Sequence, residues 1–479
     1  MTDPTPPARP ARHTATRRPA RPLATAAVGA LLLAGAYAAA TAVFSSRAQT
    51  LTTELTATLR GRAAASGAQV EQVSYTRGFM HSTQVLRLTL PGSTGTPQRL
   101  LITNDIQYGP LPALKGVGQA TVTTTFRPED PQAQAAYARA FPNRQPQVQT
   151  VIGLAGDTHS RVDVPGGTLT EQGAKVNWQA LGGTVDVRGN DSRLNLNWPG
   201  LTVTDSSDGQ LTSVQVGRVS LTGENRRSGP RDLIGLGSAS LTLDRASVEA
   251  GADPMNLTGL NISAATTGQD QFLTSSVKYD VGTLTVPGPD GAVQTLRDLQ
   301  LHLSLGHLAR EPLDRLMVLL NDAQAGMNEA RQAQPDQAES DPLAGLSAAQ
   351  QTQARADLLA LLQKGPVLTL DRLNVAQGAG NVTLTGRVAL PGAATLDDTQ
   401  LQALADQPAE LLPLTDLQLK LSATQDALNA LLGNVGPLAQ MADIDTLVSA
   451  GYLKRSGDQL GLDLRIDQGR VTLNGQSLE

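Results

Sequence analysis

Leu194-Asn195-Leu196-Asn197-Trp198, then Leu201-Thr202-Val203-Thr204, then Val214-Gln215-Val216: apolar and polar residues take turns at period two. Successive side chains of an extended strand point to opposite faces, so each of these segments has one apolar and one polar face. Such alternation marks an antiparallel sheet with one face toward water. Threonine fills many of the polar slots, where a β-branched side chain fits the pleat. Turn residues punctuate the run at Pro165-Gly166-Gly167, Gly182-Gly183, Gly189-Asn190-Asp191 and Asp208-Gly209, and each marks a chain reversal.

The pattern extends in both directions. Upstream, residues 73–75, 84–90, 99–107 and 121–126 read as strands, and 131–141 as a short helix stopped by Pro142. Downstream, 238–243, 281–286 and 299–305 continue the alternation. The period then changes. Leu313, Leu316, Met317, Leu320 and Met327 recur at helical spacing over 312–331, the stripe of an amphipathic helix. A polar linker, 334–345, leads to a second helix, 347–364, with Ser347 as N-cap and Gly365-Pro366 as the stop. The two are expected to form an αα-hairpin inserted at about 311–364. Strands resume at 367–370, 381–390 and 415–422, helices follow at about 425–454, and a hairpin of 459–466 and 470–473 turns at Asp467-Gln468-Gly469. One internal echo stands out. Residues 241–248, LTLDRASV, and 368–375, LTLDRLNV, agree at six of eight positions. It is either a duplicated sheet unit or chance in a chain rich in these residues, since a repeat fold needs several copies at a fixed period.

The N-terminus differs in kind. Residues 1–22 carry Arg9, Arg12, Arg17, Arg18 and Arg21 against Asp3, with six prolines, and read as a disordered basic tail. Residues 23–44, LATAAVGALLLAGAYAAATAVF, carry no charge. As a helix this segment is about 33 Å long, enough to cross a bilayer core. The arginines before it place the tail in the cytoplasm and the body outside. The stretch is longer than the apolar core of a signal peptide, so it reads as an uncleaved anchor; cleavage near Ala36-Tyr37-Ala38 or Ala38-Ala39-Ala40 is the alternative. Leu51, Leu55 and Leu59 then suggest a helical stalk over 45–72, followed by a β-rich periplasmic domain over 73–479. The expected fold class is α+β, mainly antiparallel β: a transmembrane helix, then an elongated twisted or curled sheet with helical insertions.

Composition narrows the chemistry. The 479 residues include no cysteine, which removes disulfides, thiolate catalysis and Cys-ligated metals. Aromatics at 3% are too sparse for base stacking or for an aromatic sugar platform. No P-loop, HExxH or GxSxG pattern occurs, and Gly116-Val117-Gly118, Gly235-Leu236-Gly237 and Gly378-Ala379-Gly380 each lack the third glycine of a dinucleotide fingerprint. His302 and His307 are five apart, which puts them on opposite faces of a strand and argues against a shared metal. Asp157-Thr158-His159-Ser160-Arg161 reads as a polar loop between strands. No catalytic residue, cofactor site or metal site is expected.

Three segments carry a family resemblance. The first is Tyr75-Thr76-Arg77-Gly78-Phe79-Met80-His81-Ser82, opening the first hairpin. The second is Asn104-Asp105-Ile106-Gln107-Tyr108-Gly109-Pro110-Leu111. The third is the C-terminus, with Gly469-Arg470-Val471-Thr472-Leu473-Asn474-Gly475 near its end. Together they resemble the YdgA-like family of bacterial membrane-anchored envelope proteins of unknown function. That resemblance singles out Tyr75, Arg77, Gly78, Phe79, Ser82, Gly109, Pro110, Gly469, Asn474 and Gly475. It implies no catalytic role for them, and as physics they read as turn residues and strand ends. Family members often carry His where this chain has Tyr108, which argues against an essential imidazole there.

The expected function is a non-enzymatic structural or binding module of the envelope, bound to the inner membrane through 23–44. A weaker likeness to β-sheet lipid-handling envelope proteins makes binding of a lipid or another hydrophobic ligand along an apolar groove the alternative. An envelope hydrolase with dispersed carboxylates is the remote third. Expected partners are a lipid or another envelope protein, with self-association open and nucleic acid excluded. A sheet whose apolar face is covered by helices favours a scaffold. An open groove exceeding a few hundred Å² favours binding of a ligand or a partner.

Overall fold

A computed structural model describes residues 68–78, 81–90, 97–108, 118–171, 173–205, 212–227, 234–250, 254–287, 293–333, 346–397, 399–400, 413–434 and 444–478. Among them, 24 strands form one sheet that does not close on itself, and every strand pair is antiparallel. The basic tail, the apolar span 23–44 and most of the expected stalk lie outside the described residues. Among the described residues no helix is long and apolar enough to cross a membrane. One end of the stalk is corrected. Residues 69–72 belong to the first strand, β1 (Gln69–Arg77), because they pair with the second strand across a bulge at Gln72/Ser74.

The N-terminal half folds as two arms that meet on one long strand. The longer arm runs through β1, β2 (His81–Leu90), β3 (Gln98–Tyr108), β4 (Ala120–Pro128), β5 (Gln147–Ile152) and β6 (Thr158–Val164). It continues through β9 (Leu181–Arg188), β10 (Asp191–Trp198) and β13 (Val219–Arg226). The shorter arm is β7 (Gly167–Glu171), β8 (Ala174–Trp178), β11 (Leu201–Asp205) and β12 (Thr212–Val216). Both arms pair with β14 (Leu236–Ala250): β13 along residues 236–243 and β12 along 246–250. Their apolar faces meet in the main core, where Leu86, Ile102, Val148 and Val162 of the long arm join Leu169, Val176, Trp178 and Leu201 of the short one. Leu196 and Trp198 point into this core while Asn195 and Asn197 face water, as the alternation predicts. The two indoles are satisfied by backbone carbonyls, Trp178 donating to Pro165 at 2.9 Å and Trp198 to Gln179 at 3.1 Å. Residues 158–161 do not form the expected loop. They lie within β6: His159 and Arg161 face outward, with His159 Nδ1 2.7 Å from Asp186 of β9, while Thr158 and Ser160 are buried and Ser160 hydrogen-bonds Thr150 at 2.9 Å.

From β14 onward the sheet is a meander of long strands: β15 (Met255–Gln269), β16 (Phe272–Pro287), β17 (Val293–Ala309), β18 (Val367–Gln377), β19 (Gly380–Ala389) and β20 (Asp416–Thr424). After β21 (Lys454–Ser456) come β22 (Gln459–Asp467), β23 (Arg470–Leu473) and β24 (Gln476–Leu478). The segments expected at 238–243, 281–286 and 299–305 are pieces of strands of 15, 16 and 17 residues. The alternation breaks where a crease crosses the sheet. Pairing skips Asp244 and Gly259, then Gly282 and Asp298, and shifts register at Leu370/Leu373. Gly259 has φ +65° and Asp298 φ +47°. Asn374 bridges the crease by donating to the Asp298 carbonyl at 2.8 Å. The echo at 241–248 and 368–375 puts Asp244 and Asp371 on this same line.

Helices serve as end covers. The first, α1 (Pro131–Ala140), is capped by Asp130 and brings Phe141 edge-on to Trp178. The expected hairpin forms from α2 (Arg310–Ala333) and α3 (Ala348–Leu362), with a capping box at Ser347 and Gln350. Arg315 joins buried Asp357 across the pair at 2.6 Å. This hairpin closes one end of the meander through Leu273, Leu308 and Leu361. At the other end α4 (Gln425–Asn434) and α5 (Ile444–Ser449) pack over Val382, Ala423 and Leu460. The expected helix reaching residue 454 is corrected. It stops at Ser449, where Gly451 takes φ +76° and Tyr452 N–H bonds back to Leu447, a helix-ending motif. Lys454 starts a strand instead.

Candidate functional site

Register across the meander aligns its apolar residues into rows. One runs Leu241, Ile262, Tyr279, Leu301, Leu373, Leu384, Leu421 and Leu462, one residue per strand over eight paired strands. A parallel row holds Ala264, Val277, Leu303, Leu370, Gly386, Leu419 and Leu464. A third runs Leu305, Leu368, Val388, Leu417, Ile466, Val471 and Leu478. With strands about 4.8 Å apart, the first row extends about 34 Å. Intervening residues are polar: Ser240, Ser263, Lys278, His302 and Arg372 share one row on the reverse face. The sheet is therefore amphipathic.

The apolar face is unlike the core. Ile102 and Val148 are 1% exposed, whereas Tyr279, Leu305 and Leu368 are 42, 38 and 46% exposed, and no residue of the first row is buried. An amphipathic sheet ordinarily has its apolar side covered. Here the helices cover its two ends through Leu308/Leu361 and Ala423/Ala427, and the three rows between them are partly open. Exposed apolar surface inside a folded sheet is a candidate for binding. The sequence carried half of the signal, since the period-two leucines were plain. It did not show what covers them, because cover depends on partners far along the chain.

The residues singled out by family resemblance fall into two groups. At the first hairpin, Tyr75 donates to Ser82 at 3.4 Å, Ser82 is fully buried, and Arg77 pairs opposite Ser82. Hydrogen bonding to Ser82, then to Tyr108, holds the Tyr75 phenol below its ordinary range, while burial pushes Tyr108 up. Gly78 donates to the His81 carbonyl at 2.7 Å, and a Cβ there would come within 2.8 Å of that oxygen. Beside this group a relay of amides and a hydroxyl crosses four strands: Thr124 donates to Asn104, Asn104 to Gln84, and Gln84 to Gln72, at 2.8, 3.2 and 3.1 Å. These groups satisfy one another and none of the relay titrates. At the C-terminus, Gln468-Gly469 and Asn474-Gly475 form two tight hairpin turns, all four residues at positive φ. Phe79, Gly109 and Pro110 lie outside the described residues.

Ionisable groups among the described residues sit in a few separate clusters. A hollow of about 670 Å³ on the polar face holds Asp186 and Glu224 against Arg193 and Lys278. His302 is paired with Asp280 at 2.7 Å, and His307, at φ +57°, stacks on Phe272. Among the described residues no group of three His, Asp or Glu is placed to hold a metal ion.

A match to a family model for a bacterial protein of unknown function, DUF945, covers residues 22–479. The chain belongs to the DUF945 family. A search of curated proteins returned no match. The DUF945 match takes in the meander, both end covers and both groups of motif residues, so the open apolar face lies inside the family's own extent.

Proposed function

We propose that this chain is a non-enzymatic binding protein of the bacterial envelope that holds acyl chains on the open apolar face of β14–β22. In this reading residues 23–44 tether it to the inner membrane and the sheet works on the far side. The observation that carries the reading is the alignment of three leucine-rich rows on one face, with the packed helices among the described residues lying at the ends. The row length of about 34 Å exceeds the depth of one bilayer leaflet, roughly half of a 30 Å core, so a whole acyl chain fits along it. Scarce aromatics and absent cysteine suit a surface that grips by area and not by specific chemistry.

The test uses the full chain purified in mild detergent. Solvent extraction followed by mass spectrometry should recover lipid, and a fluorescent fatty acid should bind saturably. The variant Leu303→Asp/Leu419→Asp puts two carboxylates into one row and should lose both signals while keeping its β-sheet circular dichroism. Lipid no greater than on an unrelated single-pass protein, unchanged by the substitutions, would overturn the proposal.

A further inference from the structure

On the polar side of the same sheet, a hollow of about 500 Å³ lies where β19, β20 and β22 meet the last turn of the chain. Its charges are one-sided. Lys420 and Lys454 line it, and the carboxylate among its lining residues is Asp463. That carboxylate is already engaged: Arg465 donates to both of its oxygens, at 3.0 and 3.1 Å. Arg465 first, with Lys420 and Lys454 adding, pulls the Asp463 carboxyl below its ordinary range. Asp463 and Arg465 therefore cancel, and two ammonium groups remain. Among the described residues neither lysine has a carboxylate partner in an ion pair.

The hollow is built into the fold. Lys454 is fixed by donating to the Asn474 carbonyl at 2.7 Å. Asn474, only 9% exposed, accepts from Asp463 N–H at 3.0 Å and donates to the carbonyls of Gly451 and Tyr452 at 2.9 and 3.1 Å. One amide thus locks the turn after α5, strand β22 and the C-terminal turn around the lysines. Thr385 and Ser422 add hydroxyls from the neighbouring strands.

Two ammonium groups lining one hollow can bind a shared anion. Lysine recognises phosphate as a point charge, and a phosphate monoester carries close to two negative charges at neutral pH. A volume of about 500 Å³ leaves room for an organic group beyond the phosphate. We propose that this hollow is a binding site for a phosphate monoester, held by Lys420 and Lys454 with Thr385 and Ser422. Leu421 and Leu462 of the first row also border the hollow, but its lysines and hydroxyls alternate away from that row along β19, β20 and β22, and the proposal does not depend on the acyl-chain reading.

Calorimetric titration of the full chain with glycerol 3-phosphate at low ionic strength should show one saturable site. Lys420→Gln and Lys454→Gln should each weaken it about tenfold, the value of one charge-assisted hydrogen bond, and the double variant should abolish it. A second arm asks which source supplies the group. Displacement by phosphatidic acid in detergent micelles, and not by diacylglycerol, identifies a lipid headgroup. Retained glycerol 3-phosphate binding without such displacement identifies a soluble ester. No saturable binding up to about 10 mM, weaker than two charged contacts would give, would overturn the proposal. So would unchanged binding in the folded double variant.

Discussion

Asn474 shows how much one side chain can organise. It sits at φ +54° beside Gly475 at φ +86°, the pairing a two-residue hairpin turn requires. Its amide also serves three backbone groups on two other segments. Asn474→Ala should destabilise the chain by about 2 kcal/mol, since buried backbone groups lose their partners. Asn474→Gly keeps the turn and loses the same bonds, so a similar loss in urea unfolding would assign the effect to hydrogen bonding. A charged pair gives a pH signature. Arg87 binds Glu129 at 2.7 Å and Glu71 at 2.8 Å, and its hydrogen bonds hold the Glu129 carboxyl below its ordinary range. A carboxyl with a depressed folded-state pKa stabilises above its unfolded value of about 4.3, and that contribution fades as pH falls through the folded value. Urea midpoints followed from about pH 6 to pH 3 should therefore fall less steeply in Arg87→Gln than in the unaltered chain. The turn at Asp467-Gln468-Gly469 was readable in advance because turn chemistry is local. Asn474-Gly475 carries an equally strong local signal, but β24, which it folds back, is three residues long and too short to show a period of its own.

Elements were legible where their signals lie within a few residues. The Ser347 cap, the Gly365-Pro366 stop and the helical leucine spacing placed α2 and α3 within two residues of their ends. Ser347→Ala breaks a reciprocal cap and should cost about 1 kcal/mol, read from thermal or urea unfolding. The long strands were not legible. Gly259 and Asp298 interrupt alternation in the middle of a strand, and an interruption in sequence looks like an end. Gly259→Ala puts a Cβ on a residue at φ +65° and should cost about 1 kcal/mol or more. Hydrogen exchange should then quicken at the paired amides on both sides of the crease, which would show that this line belongs to continuous strands.

At the scale of the molecule, the sequence pattern told which residues face away from water on one side of each strand. It could not tell which faces meet. The branch at β14 decides that: it folds two arms onto each other, while among the described residues the later strands are covered by helices at their ends. The two environments should respond differently to change. Val148→Ala in the main core, where Val148 is 1% exposed, should cost about 2 kcal/mol through loss of packing. Leu368→Ser on the open face, 46% exposed, should change stability by less than about 0.5 kcal/mol. Equal losses at the two sites, measured by urea unfolding, would mean that the open face is covered in solution. The meander has a last consequence. From β14 to β20 each strand pairs with its neighbours in the chain, so the face behaves as a ruler graduated in hairpins. Adding or removing two strands keeps every direction of travel and changes the reach by about 10 Å. If the face holds acyl chains as proposed, homologues that differ by such a pair should retain chains of different length, read by mass spectrometry of extracted lipid.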